Sequence, residues 1–245
     1  MKIAMWSGPR NLSTACMYSF GNRADCAVTD EPFYAAYLAA TGADHPMRDQ
    51  IIASQPNDPN AVEAYLLGPD PNGRAIWYQK HMTHHMVEGF PLGWMKSCAN
   101  VFLIRHPARV IASYAAKREA VTLGDIGLRE QLALYEFARS LGQDPIVIDS
   151  SDIRTTPGAM MRALCDALGI DFDPAMLRWA AGPRAEDGVW AKHWYGAVHQ
   201  STGFSGAEGP IPDLDPAHHD VLAEALPLYT ALAAKALSPA VARRQ

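Results

Sequence analysis

Five short apolar runs, at residues 2–6, 26–29, 75–79, 101–104 and 145–148, divide the first 150 residues, and polar or charged side chains follow each of them. They read as β-strands. Val101-Phe102-Leu103-Ile104 is the clearest, because an unbroken apolar run of this length suits a strand covered on both faces. Helical patterns fall between and after them. Residues 12–20 predict a helix that stops at Gly21, and His106-Pro107 opens another, since proline suits the first helical position. Leu128, Leu132, Tyr135 and Ala138 form a helical stripe before Gly142. Thr156-Pro157 opens a helix with Met160, Met161, Leu164 and Leu168 on one side and Gly169 at its end. Asp215-Pro216 opens the last, in which Pro227 predicts a kink or a break. Strands alternating with helices predict an α/β fold: a mostly parallel β-sheet flanked by helices on both faces, with residues 1–245 forming a single domain.

In such folds ligands bind beyond the carboxyl ends of the strands. Those positions read Ser7-Gly8-Pro9-Arg10, Asp30-Glu31, Lys80-His81 and Arg105-His106, so four strand ends bring polar groups to one crevice. Residues 41–73, rich in Pro, Asn and Asp, read as an irregular insertion over that crevice. Residues 182–212 are equally irregular but carry Trp190, Trp194, Tyr195 and Phe204, which makes them a candidate lid.

Composition narrows the function classes. Apolar residues make up 49% of the 245 and charged residues 19%, as in an ordinary globular protein. No run approaches the roughly 20 apolar residues of a spanning helix, and the first apolar stretch ends too early, at Gly8, for a signal peptide. Cys16, Cys26, Cys98 and Cys165 form neither a C-x-x-C pair nor a zinc spacing and read as reduced thiols. The expected location is therefore cytoplasmic, away from membranes. A net charge of −5 argues against a nucleic-acid binder and leaves room for a small anionic ligand held by local positive groups.

The first strand end supplies such groups. Strand, Gly8-Pro9-Arg10-Asn11-Leu12-Ser13-Thr14, helix is the layout of an anion cradle, in which backbone N–H groups at a helix start face the ligand. Arg10, Asn11, Ser13 and Thr14 are its candidate contacts. With Gly8 as the first glycine of a Walker A loop, the closing positions read Ser13-Thr14-Ala15, so the lysine is missing.

A second segment makes the pattern specific. Ile104-Arg105-His106-Pro107-Ala108-Arg109-Val110-Ile111-Ala112-Ser113-Tyr114 resembles the 3′-phosphate-binding element of sulfotransferases that use 3′-phosphoadenosine 5′-phosphosulfate (PAPS): an arginine ending a strand, a proline-opened helix, and a serine eight residues on. Arginine offers a fork that matches phosphate oxygens. Pro9, Arg10, Ser13 and Thr14 likewise resemble the family's 5′-phosphosulfate loop. Asn11-Leu12 replaces its usual Ser-Gly, which predicts a differently built cradle, since leucine lacks glycine's backbone freedom. The likeness spans about residues 2–155.

The resemblance implies a P-loop-like sulfotransferase architecture that moves a sulfuryl group from PAPS to a hydroxyl or amine of a small acceptor. It implies Glu31 as the base, Lys80 at the bridging oxygen, and Lys192 in a late loop at the 3′-phosphate. A histidine base is the alternative to Glu31, with His84 first among His81, His84 and His85. His81 and His85 are four apart but lack the glutamate of H-E-x-x-H, so no metal is expected. A P-loop-type small-molecule kinase and a non-catalytic nucleotide-binding protein of the same fold are the rival readings. The acceptor's identity and the oligomeric state are not written in the sequence.

Overall fold

The computed structural model describes residues 1–116 and 121–238. Its centre is a five-stranded, all-parallel sheet in the order β2-β3-β1-β4-β5, made of β1 (Lys2–Ser7), β2 (Cys26–Asp30), β3 (Ile76–Met82), β4 (Ala99–Ile104) and β5 (Ile146–Asp149). The helices in chain order are α1 (Ser13–Gly21), α2 (Tyr34–Thr41), α3 (Arg48–Ser54), α4 (Pro59–Leu67), α5 (Pro107–Ala115) and α6 (Leu123–Ile126). They continue with α7 (Leu128–Ser140), α8 (Ser150–Thr155), α9 (Pro157–Leu168), α10 (Ala191–Trp194), α11 (Gly196–His199) and α12 (His219–Ala233).

Alternate residues of each strand feed two separate cores, which is why the strands read as unbroken apolar runs. Ile3, Met5, Tyr78, Val101, Leu103 and Ile148 face α1 and α9, packing with Phe20, Met160, Met161 and Leu164. Ala4, Trp6, Trp77, Phe102, Ile104 and Val147 face the other way, onto Val62 and Leu66 of α4, Val110 and Ile111 of α5, Leu134 and Tyr135 of α7 and Leu232 of α12. Both faces are thus covered, as the sequence predicts.

Three expectations need correction. Residues 41–73 are not irregular: they hold α3 and α4. Asp58 caps α4 by accepting a bond from the Asn60 backbone N–H ahead of Pro59, the same Asp-Pro start that opens the 3-10 turn Pro216–His218. β3 runs to Met82 rather than ending before Lys80, because Lys80 finds buried carboxylates and His81 stacks between Trp6 and Trp94. α12 does not break at Pro227, its packing on α5 and α7 outweighing the lost backbone bond. Of residues 182–212, only α10 and α11 are regular. No described helix is long and apolar enough to cross a membrane.

Candidate active site

The loop after β1 sets the geometry. At Gly8 a Cβ would lie 2.2 Å from the Ile126 carbonyl oxygen, so only glycine fits there. Arg10 and Leu12 then take left-handed conformations, with φ of 62° and 75°. Leu12 therefore adopts a conformation that glycine favours, without glycine's freedom. This costs an ordinary residue roughly 1–2 kcal/mol, and the surroundings hold it in place. The Leu12 side chain packs on the core, Asn11 Nδ2 donates to the Leu103 carbonyl of β4 at 3.3 Å, and an Arg105 Nη donates to the Arg10 carbonyl at 2.6 Å. Asn11 thus uses its amide to anchor the loop to the sheet, while Ser13 and Thr14 open α1 beside the cavity.

Arg10 turns back and donates from Nε to Ser113 Oγ at 3.0 Å. Two segments far apart in sequence, the first loop and the β4–α5 element, are thereby joined side chain to side chain. Burial, with the neighbouring Arg105, lowers the Arg10 pKa, although a guanidinium stays charged at any ordinary pH.

At the next two strand ends lies a buried ionic centre. Asp30 of β2 pairs in register with Lys80 of β3, and Glu31 follows at once with a φ of 41°, outside the favoured regions for a non-glycine residue. Lys80, 1% exposed, directs its ammonium at Asp30 Oδ1 (2.9 Å), Glu31 Oε1 (2.5 Å) and Tyr195 Oη (2.6 Å). All three of its donors are used. Tyr195 in turn lies 2.8–2.9 Å from both Asp30 oxygens and accepts from Trp190 Nε1 at 3.1 Å, and the Gly188 N–H donates to Asp30 Oδ2 at 3.1 Å. Burial raises the Glu31 pKa and Asp30 adds to the effect, against the pull of Lys80. Burial also opposes the Lys80 charge, but Asp30 and Glu31 outweigh it and leave the ammonium above its ordinary value.

Glu31 Oε2 faces His85, whose Nδ1 is 3.9 Å away. His85 is stacked between Tyr34 and Tyr37, with ring centroids 4.3 and 4.9 Å apart, and His84 meets it edge-on. Burial depresses both imidazoles, His84 to about 4 and His85 well below the ordinary value, so both are neutral at pH 7. His81 belongs to the core instead: it stacks on Trp6, and burial lowers it to about 3.

One cavity of about 520 Å³ joins these groups, a size suited to a small-molecule site. Its lining includes Arg10, Asn11, Ser13, Thr14, Glu31, Lys80, His84, Arg105 and Ser113, together with His85, Tyr34, Trp194 and Tyr195. Of the residues singled out from the sequence, His81 lies in the core and Lys192 lies apart, exposed on α10, while His193 and Trp194 reach the cavity. Asp30 stood next to Glu31 in the strand-end pattern and Tyr195 among the aromatics of the candidate lid, but neither was read as a partner of Lys80, and Glu208 was not singled out at all. Glu208 inserts a carboxylate, 5% exposed, among Arg105, Arg109 and Arg154. Among the described residues no cluster of His, Cys, Asp or Glu has the makings of a metal site.

The model of the sulfotransferase domain matches residues 1–236. The chain belongs to the sulfotransferase family. The family's fold is recovered in two solved structures. The sulfotransferase domain of the Synechococcus PCC 7002 olefin synthase gives a TM-score of 0.50 at 16% identity, over 91% of this chain and 94% of that one. The sulfotransferase domain from the curacin biosynthetic pathway gives 0.53 at 15%, over 91% and 96%. Two curated Arabidopsis thaliana proteins, named branched-chain-amino-acid aminotransferase-like proteins 1 and 2, are 38% and 37% identical over 231 residues, 94% of this chain. This sulfotransferase chain spans 41% of the length of each of them.

Proposed function

We propose that the chain transfers a sulfuryl group from PAPS to a hydroxyl or amine of a small acceptor. The observation that carries this reading is the junction of the first loop with the β4–α5 element through Arg10, Ser113 and Arg105. It gathers cations and hydroxyls for two separate phosphates into one wall of the cavity, and a phosphate on the 3′ position is what distinguishes PAPS from ATP. Ser13, Thr14 and the backbone N–H groups opening α1 suit the 5′-phosphosulfate, and Arg105 and Ser113 suit the 3′-phosphate. The donor supplies the sulfuryl group and a phosphate leaving group.

The chain's own residues supply the proton chemistry. Glu31 lines the cavity with Oε2 free of the Lys80 bond, and its raised pKa makes it a stronger base than an exposed carboxylate. Lys80 and Tyr195 fix the orientation of that carboxylate. Because the Lys80 donors already serve Asp30, Glu31 and Tyr195, its role here is to position and neutralise; contact with a leaving oxygen requires it to surrender one of these bonds. The four free, buried cysteines are in keeping with a reducing, cytoplasmic setting.

Calorimetric titration with 3′-phosphoadenosine 5′-phosphate (PAP), with ATP and ADP as controls, tests the reading. PAP should bind more tightly than ADP. Arg105→Ala should weaken PAP at least roughly thirtyfold, the lower end of what losing one partner of a buried charge pair costs, in a protein whose melting curve stays cooperative. Failure of the wild type to bind PAP, or an ATP preference untouched by Arg105→Ala, overturns it in favour of the kinase reading.

A further inference from the structure

Among the described residues, Glu208 is the one acidic side chain held by the arginines of this wall. Its Oε1 is ion-paired with Arg105 Nη2 and lies 3.8 Å from Arg154 Nε, and its Oε2 is 3.4 Å from Arg109 Nε. The same arginines pin the loop backbone: Arg109 donates to the Glu208 and Gly209 carbonyls, and Arg154 Nε donates to the Gly206 carbonyl at 3.1 Å. The carboxylate nevertheless fills the cage badly. Three guanidinium groups surround one negative charge, leaving an excess of two positive charges. Glu208 Oε2 accepts no hydrogen bond, Arg105 Nε is buried with no acceptor, and Ser150 Oγ, buried and lining the same cavity, has no partner. Unsatisfied buried polar groups are rare enough in a folded protein to need an explanation.

We propose that the Glu208 carboxylate is an intramolecular occupant of the place beside Arg105 assigned above to the 3′-phosphate, displaced when that phosphate binds, and that Arg109, Ser150 and Arg154 then join Arg105 and Ser113 in holding it. The inference rests on the PAPS reading, under which the phosphate is the nucleotide's second one. With Glu208 displaced the cage carries three positive charges, and a dianion neutralises two of them where the carboxylate neutralises one. The dianion's three terminal oxygens offer more acceptor positions than the two of a carboxylate, enough to engage the idle Arg105 Nε and Ser150 hydroxyl as well. The exchange is confined to the Glu208 side chain, because the loop backbone has its own bonds to Arg109 and Arg154. Glu208 therefore sets donor affinity: it offsets the mutual repulsion of the arginines in the free protein and must be displaced for the ligand to bind.

The test is calorimetric binding of PAP and ADP to the wild type, Glu208→Gln and Arg154→Gln. Glu208→Gln keeps the side-chain shape but removes the competing charge, so it should tighten PAP roughly tenfold while leaving ADP, which has no 3′-phosphate, within about twofold. Arg154→Gln should weaken PAP and spare ADP. PAP affinity unchanged or weakened in Glu208→Gln, or ADP tightened equally, overturns the inference and leaves the PAPS reading standing. If Glu208→Gln fails to give a cooperative melting curve, Arg154→Gln decides, and an unchanged ratio of PAP to ADP affinity overturns the inference. No PAP binding by the wild type or by Glu208→Gln overturns the donor reading itself.

Discussion

Replacing Lys80 with methionine tests the buried ionic centre most directly. The substitution keeps the length and much of the volume of the side chain while deleting three donors, those to Asp30 (2.9 Å), Glu31 (2.5 Å) and Tyr195 (2.6 Å). Asp30 retains Tyr195 and the Gly188 N–H, but Glu31 is left with a weak 3.4 Å contact to Tyr195 and a neutral histidine. Removing one partner of a buried ion pair costs about 3–5 kcal/mol, because the other charge stays desolvated. For a chain of this size, at about 2–4 °C per kcal/mol, the melting temperature should fall on the order of 10 °C at pH 7. The pH dependence carries the sign. Without Lys80 the Glu31 carboxyl is held further above its unfolded value, so the native state binds a proton that the unfolded state does not. The deficit against wild type should then shrink as the pH falls from 7 toward the ordinary carboxylate range. Adding Glu31→Gln to Lys80→Met should restore about 1–2 kcal/mol. Urea denaturation from pH 5 to pH 8 measures all of this. A loss below about 1 kcal/mol, the same deficit at every pH, or strict additivity in the double variant would refute the idea that the ammonium neutralises Glu31.

Once an acceptor supports PAP release from PAPS, Glu31→Gln should lower kcat roughly 10²–10⁴-fold with PAP affinity little changed. Retained turnover would move the base to His85. The depressed histidines predict acid sensitivity: their unfolded forms take a proton near pH 6.5 and their folded forms only near pH 4 (His84) or pH 3 (His81). That stability is fully present above about pH 6.5 and is lost as the pH falls through this window, by about 4 kcal/mol for His81 at its lower end. His81→Phe, which keeps an aromatic ring against Trp6 and Trp94, should flatten the stability curve below pH 6.5. Parallel curves for the two proteins would refute the assignment.

The sheet was legible because strands buried on both faces carry unbroken apolar runs, and Val101-Phe102-Leu103-Ile104 left little else for its segment to be. The same logic failed at the end of β3. Lys80 and His81 look like the start of a loop, and nothing nearby in sequence shows that Asp30 and the tryptophans receive them. α4 was missed because its apolar face is only Val62 and Leu66 within a segment rich in loop formers. The strand-end rule found Arg10, Glu31, Lys80 and Arg105, since it needs only each strand's position. Tyr195 and Glu208 reach the cavity through the tertiary path of a long irregular segment, which no periodicity encodes. The choice of His84 over His85 could not be made from spacing either, as adjacent residues of a tight turn diverge by packing: His85 lies between two tyrosines beside Glu31.

The left-handed backbone at Arg10 and Leu12 bears on how proteins of this kind are found. Where a cradle depends on the intrinsic freedom of glycine, the glycine itself is the signature. Here the shape is imposed from outside, by the Leu103 and Arg10 carbonyls as tether points and by the packing of the Leu12 side chain. The loop is therefore held in one shape from outside, and under the proposed donor reading it loses little freedom when the phosphosulfate binds. A search keyed to glycine inside the loop would pass over this chain, whereas one keyed to the paired tethers, an amide to β4 and an arginine to the loop's own backbone, would retain it.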